Sequence, residues 1–215
     1  MSSEQPRPRF RRPAMLDPQE ADQIPGGMDP ALRSRVAHTT ATAIVHGGRA
    51  GAGDDPALVD RLVHLVESEG LDTLAALWAD CPATTLPGTM WRLYVLREWV
   101  RRDPATLAER YRLGLVAAEV PHAVAGVVTP PGPGELREVL DAVLSGVYTG
   151  DLAVALERGA AFCRVLATGA AFDADHLDVA DAEAANRLTR GADGLLRTAE
   201  ELEHSAGLWR SDQLE

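Results

Sequence analysis

Apolar residues recur along this chain at three- and four-residue intervals, and one repeated device punctuates the recurrences. The stretches "MDPALRSRV", "DDPALVDRL" and "RDPATLAER" each set an aspartate before a proline. An aspartate side chain accepts hydrogen bonds from the free N–H groups of a first helical turn. A proline at the first helical position lacks only a donor that would have no partner anyway. Helices are therefore predicted to begin at Pro30, Pro56 and Pro104, with "DCPATTL" as a fourth variant in which Cys81 takes the aspartate's place. The unequal spacing of these caps excludes a repeat array. Between them, Leu58, Leu62, Leu65 and Val66 form one helical stripe, and Leu71, Leu74, Leu77 and Trp78 another. The strongest break is "TPPGPGEL", read as an internal hinge near 129–134 between two helical halves. Beyond it, helices are predicted over 134–147, 152–168 and 182–208, with Gly150–Asp151 and Gly169 marking ends and restarts. The last helix carries Leu188, Leu195, Leu196 and Leu202 along one side. No segment alternates as a strand does. The pattern predicts an all-α protein, a single compact domain of about seven helices over 29–210. Residues 1–28, which have no apolar period, are expected to form a disordered tail.

One stretch, "MWRLYVLREWVRRDP", combines large aromatics with many cations. On a helical wheel Trp91, Leu93, Val95, Leu96, Trp99 and Val100 fill one broad arc, while Tyr94, Arg97, Glu98 and Arg101 lie opposite. The arc predicts a central helix with its tryptophans in the core. Arg92 falls inside that arc, and a buried guanidinium needs a partner. Either an acid or carbonyls from the fold satisfy it, or it lines a pocket for a carboxylate or phosphate. Arg97, Arg101 and Arg102, with Arg110 and Arg112 on the next helix, define a candidate basic ridge. Residues 91–112 hold six arginines against Glu98, Asp103 and Glu109, whereas 173–205 hold nine acids against Arg187, Arg190 and Arg197. This asymmetry either joins the two halves or faces an acidic partner.

Composition narrows the choice. The chain has 215 residues, is 46% hydrophobic and carries a net charge of −11, which disfavours a dedicated nucleic-acid binder. All 21 basic residues are arginine, so many arginines are simply the cation in use. The N-terminal stretch lacks the apolar run of a secretory signal, no run of apolar residues is long enough to span a membrane, and Cys81 and Cys163 cannot make a disulfide framework. A soluble cytoplasmic protein is expected.

Candidate chemistry is sparse. A thiol at a helix N-terminus has a stabilised thiolate, which makes Cys81 a candidate reactive thiol, although no histidine lies near it in sequence. Cys163 shares a stripe with Leu156, Ala160 and Leu166 and reads as a buried small hydrophobe. Asp173 with His176, and Glu201 with His204, have the acid–histidine spacing of helical metal ligands. The further inward glutamates such a site needs are missing, so no metal is assigned. Phosphate-binding, dinucleotide and hydrolase motifs are absent, and the enzyme reading leans to no, with no catalytic residue and no cofactor expected.

The runs "LDTLAALWADCPATTLPGTMWRLYVLREWVRRDP" and "VAGVVTPPGPGELREVLDAVLSGVYTGDLAVALERGAAFCRVLATG" resemble an uncharacterised all-helical protein family of high-GC actinobacteria, over about residues 55–210. The resemblance implies no activity, cofactor or catalytic residue. The reading preferred is a non-enzymatic helical module that binds another protein, its oligomeric state open. The alternatives are a nucleic-acid- or transcription (RNA polymerase)-associated accessory using the arginine ridge, and a metal-binding helical protein.

Overall fold

The computed structural model describes residues 29–47, 70–117, 130–146, 148–177 and 181–215, with only the backbone of Gly47, Ala117, His176 and Leu177. The expected tail, the helix start at Pro56 and the stripe from Leu58 to Val66 lie outside the described residues. Within them the protein is all-α. Seven helices are described: α1 (Pro30–Gly47), α2 (Leu71–Trp78), α3 (Leu86–Arg102), α4 (Pro104–Ala117), α5 (Pro133–Leu144), α6 (Leu152–Leu177) and α7 (Ala182–Arg210). No strand occurs among the described residues, and no described helix is long and apolar enough to cross a membrane.

Two of the aspartate–proline caps act as expected. Asp29 accepts from Ala31 N–H at 2.9 Å, and Asp103 accepts from Thr106 N–H at 3.3 Å. The Cys81 variant does not open a helix at Pro82. Residues 79–85 fold as a turn instead, and α3 starts at Leu86 with Thr85 as its cap, its side chain accepting from Gly88 N–H at 3.3 Å. The turn lies so close on α3 that a Cβ at Gly88 would stand 1.8 Å from the Pro82 carbonyl oxygen. At the far side, α5 stops at Leu144 rather than 147, because Gly146 turns the chain through φ +75°.

Helix α6 is the axis of the fold. It runs through Gly169 to Leu177 instead of ending near 168. Gly169 is a packing residue, not a stop: an added Cβ would sit 2.0 Å from the Arg110 carbonyl oxygen, and one on Gly114 would sit 2.0 Å from that of Val165. Helix α4 thus lies directly on α6, backbone to backbone. On its other side α6 meets α7 through small residues. Ala153, Ala160, Ala167 and Ala174 recur every seven positions and are buried, as are Ala185, Ala192, Ala199 and Ala206 on α7. The helices run antiparallel, tied by Arg164 to Glu203 at 2.6 Å and by Arg210 to Glu157. A heptad of alanines lets two long helices approach closely. The leucine stripe expected to bury α7 only partly does so, since Leu202 is enclosed but Leu196 is 39% exposed.

Helices from both sides of the proline-rich segment share one core, which runs from Ala37 in α1 to Leu214 beyond α7. The described end of that segment is fastened: Tyr111 Oη donates to the Pro130 carbonyl at 2.7 Å, and Gly132 N–H to Glu135 at 3.2 Å. Two pairs of buried polar groups meet inside the core, while Arg158 Nε is buried with no hydrogen-bond partner among the described residues. Trp78, fully enclosed, donates its indole N–H to Thr40 Oγ1 at 3.0 Å, and Thr89 donates to Ser205 at 2.9 Å. Thr40→Val keeps the shape but strands the Trp78 N–H, and is expected to cost about 1–3 kcal/mol. A thermal melt checks this, and an unchanged midpoint would count against it.

Candidate functional site: a tryptophan-lined groove

Helix α3 buries its tryptophans only in part: Trp91 and Trp99 pack against the core but also line an opening. The side it buries includes Leu86, Thr89, Met90, Leu93, Leu96 and Val100, together with Tyr94 and Glu98, which the wheel had placed outside. Local pairing explains the correction. Glu98 is only 5% exposed, yet Arg97 (2.8 Å), Arg101 (2.9 Å) and Arg102 (3.5 Å) close around its carboxylate. Tyr94 donates its hydroxyl to Asp72 at 2.8 Å, and burial, reinforced by that carboxylate, pushes the phenol up to about 12. With its polar side satisfied in the interior, α3 leaves Trp91, Val95 and Trp99 at the edge of the core, lining an opening. Both tryptophans are partly exposed, Val95 is 45% exposed, and Trp91 stacks on Tyr94 at 5.5 Å.

That face forms one wall of a groove whose other wall is α7. The two helices meet where Thr89 contacts Ser205 and Arg92 contacts Glu201. Beside these contacts lies a cavity of about 300 Å³, lined by Trp91, Val95 and Trp99 from α3 and by Leu195, Thr198 and Glu201 from α7, among others. Cys163 of α6 also lines it, and Ala79 and Cys81 contribute from the turn before α3.

Arg92 therefore joins both expectations in one place. Its Nε donates to Glu201 and its Nη1 donates to the Gly88 carbonyl at 2.8 Å, while the pair borders the cavity. The side chains of Arg92 and Glu201 remain 20% and 30% exposed, so this is a water-accessible pair rather than a sealed one. Glu201 is recruited from 109 residues away, which no local spacing could reveal.

The remaining sequence candidates separate. The expected ridge arginines all meet carboxylates: Arg97 bonds Asp141 as well as Glu98, Arg110 bonds Asp173 at 3.3 Å, and Arg112 bonds Glu109 at 2.6 Å. With Arg92 on Glu201 and Arg110 on Asp173, the basic and acidic segments are stitched together twice. Cys81 is not at a helix N-terminus. Its thiol donates to the Leu77 carbonyl at 3.8 Å, and burial together with the Asp80 carboxylate pushes it up, which opposes the reactive-thiol expectation. Cys163 is enclosed and its thiol pushed up to about 12 by burial. Asp173 lies within α6 rather than in a loop, and it and Glu201 are already engaged by arginines, while His204 is exposed and the side chain of His176 lies outside the described residues. Among the described residues no cluster of three or more His, Cys, Asp or Glu is placed to hold a metal ion.

Compared with known proteins, the chain matches no family model, and neither a curated relative nor a solved structure similar to it is found.

Proposed function

We propose that this protein is a non-enzymatic cytoplasmic interaction module that docks another protein along the groove between α3 and α7. The observation that carries this reading is the partly exposed strip Trp91–Val95–Trp99 beside a cavity of about 300 Å³. Large aromatics default to burial. Two of them at a concave opening, with a half-exposed valine between, have the make-up of an interface centre. Binding grooves for helical segments are built from such anchors. The nucleic-acid alternative has no comparable support, because carboxylates of the same chain already meet the ridge arginines.

Affinity purification from native cells, with and without nuclease, tests the reading on the wild-type chain and on Val95→Asp. Val95 is half-exposed, so the charge falls in the groove and leaves the core intact, which a melt verifies. A nuclease-resistant partner is expected, and Val95→Asp is expected to weaken its capture more than about tenfold, as loss of a central anchor does. Capture that vanishes with nuclease, or that Val95→Asp leaves unchanged, overturns the reading.

A further inference from the structure

The cavity beside the tryptophan strip is deeper than a docking face needs. Its lining includes Leu96 and Cys163, which are 4% and 0% exposed, so it reaches the floor of the core. Trp91 and Trp99, both partly exposed, border it as well. Its volume of about 300 Å³ is roughly twice that of an apolar cavity of about 150 Å³ that takes one benzene ring. That is room for a bicyclic molecule. Besides the indoles and thiols, the polar side chains of the lining are Arg92, Thr198 and Glu201. Apolar walls with a few fixed polar groups are the make-up of a small-molecule site.

The Arg92–Glu201 pair is joined by one prong only. Arg92 Nε donates to Glu201 Oε2, and Nη1 donates to the Gly88 carbonyl. Among the described residues Nη2 has no acceptor and Oε1 no donor. The pair therefore keeps a free donor and a free acceptor at the cavity. From this arrangement we infer that the cavity takes a small neutral aromatic molecule with a carboxamide or lactam edge. Its carbonyl oxygen accepts from Nη2, its N–H donates to Oε1, and its ring covers the apolar floor. Charge decides against the alternatives. A carboxylate would meet Glu201 and an ammonium would meet Arg92, and both side chains are only 30% and 20% exposed. An amide offers each group its complement without a charge. The inference goes beyond the docking reading and stands without it, since it concerns a molecule held by the chain alone.

Naphthalene carboxamide, the matching carboxylate and the matching methylamine share one ring system and differ in the polar head. Calorimetric titration of the full chain with each of the three is the test. The amide is expected to bind one to one, at least about tenfold tighter than either charged analogue. Glu201→Gln removes the charge that opposes an anion, and is expected to move the preference to the carboxylate. Arg92→Gln is expected to move it to the amine. A merely structural ion pair would produce neither exchange. Both side chains are partly exposed, so the fold is expected to survive, which a melt verifies. Should Arg92→Gln unfold, Glu201→Gln alone reads the exchange. Thr198→Phe fills the cavity and is expected to abolish binding of the amide. The inference is overturned if the wild type does not bind the amide, or binds a charged analogue as well. It is equally overturned if Thr198→Phe binds undiminished, or if Glu201→Gln keeps the original ranking. Capture with Val95→Asp judges the docking reading separately, so either can fail without the other.

Discussion

Gly169→Ala is expected to destabilise the protein by about 3 kcal/mol, the upper end of what overpacking typically costs, although alanine is ordinarily the better helix former. Glycine inside a helix normally costs about 0.5–1 kcal/mol against alanine, so the bare propensity predicts a gain. Here the new Cβ would stand 2.0 Å from the Arg110 carbonyl oxygen, a backbone atom that cannot swing aside as a side-chain tip can. Relief requires α4 to withdraw from α6. That opens the reciprocal contact at Gly114 and loosens Leu107 and Tyr111, both buried in α4. Gly191 in α7 is the control, since nothing lies within 4 Å of the place its Cβ would take. Gly191→Ala should therefore stabilise by up to about 1 kcal/mol. Urea unfolding of the two variants beside the wild type measures the contrast. If both shift the midpoint the same way, the close approach of α4 and α6 is not what holds Gly169 in place.

Glu98→Ala is expected to cost about 2–3 kcal/mol. Removing one partner of a fully buried pair costs roughly 3–5 kcal/mol, because an uncompensated charge is left in the interior. The figure is smaller here because Arg101 and Arg102 are 58% and 72% exposed, so water takes over much of what Glu98 supplies. Arg97 also retains Asp141. What water does not restore is the packing of the Glu98 stem and the neutrality of that side of α3. Added salt should recover part of the loss by screening the three gathered guanidiniums. Denaturant midpoints of Glu98→Ala at low and high salt check both statements, and a variant as stable as the wild type would show the cluster to be ornamental.

The parts of the fold that sequence conveys are those fixed by neighbours along the chain. Pro30 and Pro104 begin helices because an aspartate at the preceding position caps them, and that chemistry is complete within four residues. Gly169 misleads for the opposite reason. Its role is set by the carbonyl of Arg110 on another helix, while local rules read a glycine there as a stop. The alanine heptads of α6 and α7 were present to be read, but a search for large apolar stripes passes over small ones. The groove was half legible. Periodicity groups Trp91, Val95 and Trp99 with Arg92 on one face, and the structure keeps that grouping. It cannot say whether a face has a neighbour, so a strip that lines an opening looks like a strip that lines a core. The burial of Glu98 carried a usable signal in the arginines at its i−1, i+3 and i+4 positions. The choice of Glu201 as the partner of Arg92 carried none.

The four indoles of the protein stand in different surroundings, which makes the chain its own optical instrument. Trp78 is wholly enclosed and bonded to Thr40, Trp91 and Trp99 line the groove, and Trp209 lies against the His46 ring at 5.7 Å. Emission from Trp78 belongs at the short-wavelength end and moves only when the core opens. Emission from the groove pair responds to whatever displaces water there, with the fold unchanged. A chain that keeps only Trp78, compared with one that keeps only Trp99, would therefore read unfolding and occupancy as two separate colours, without any dye attached.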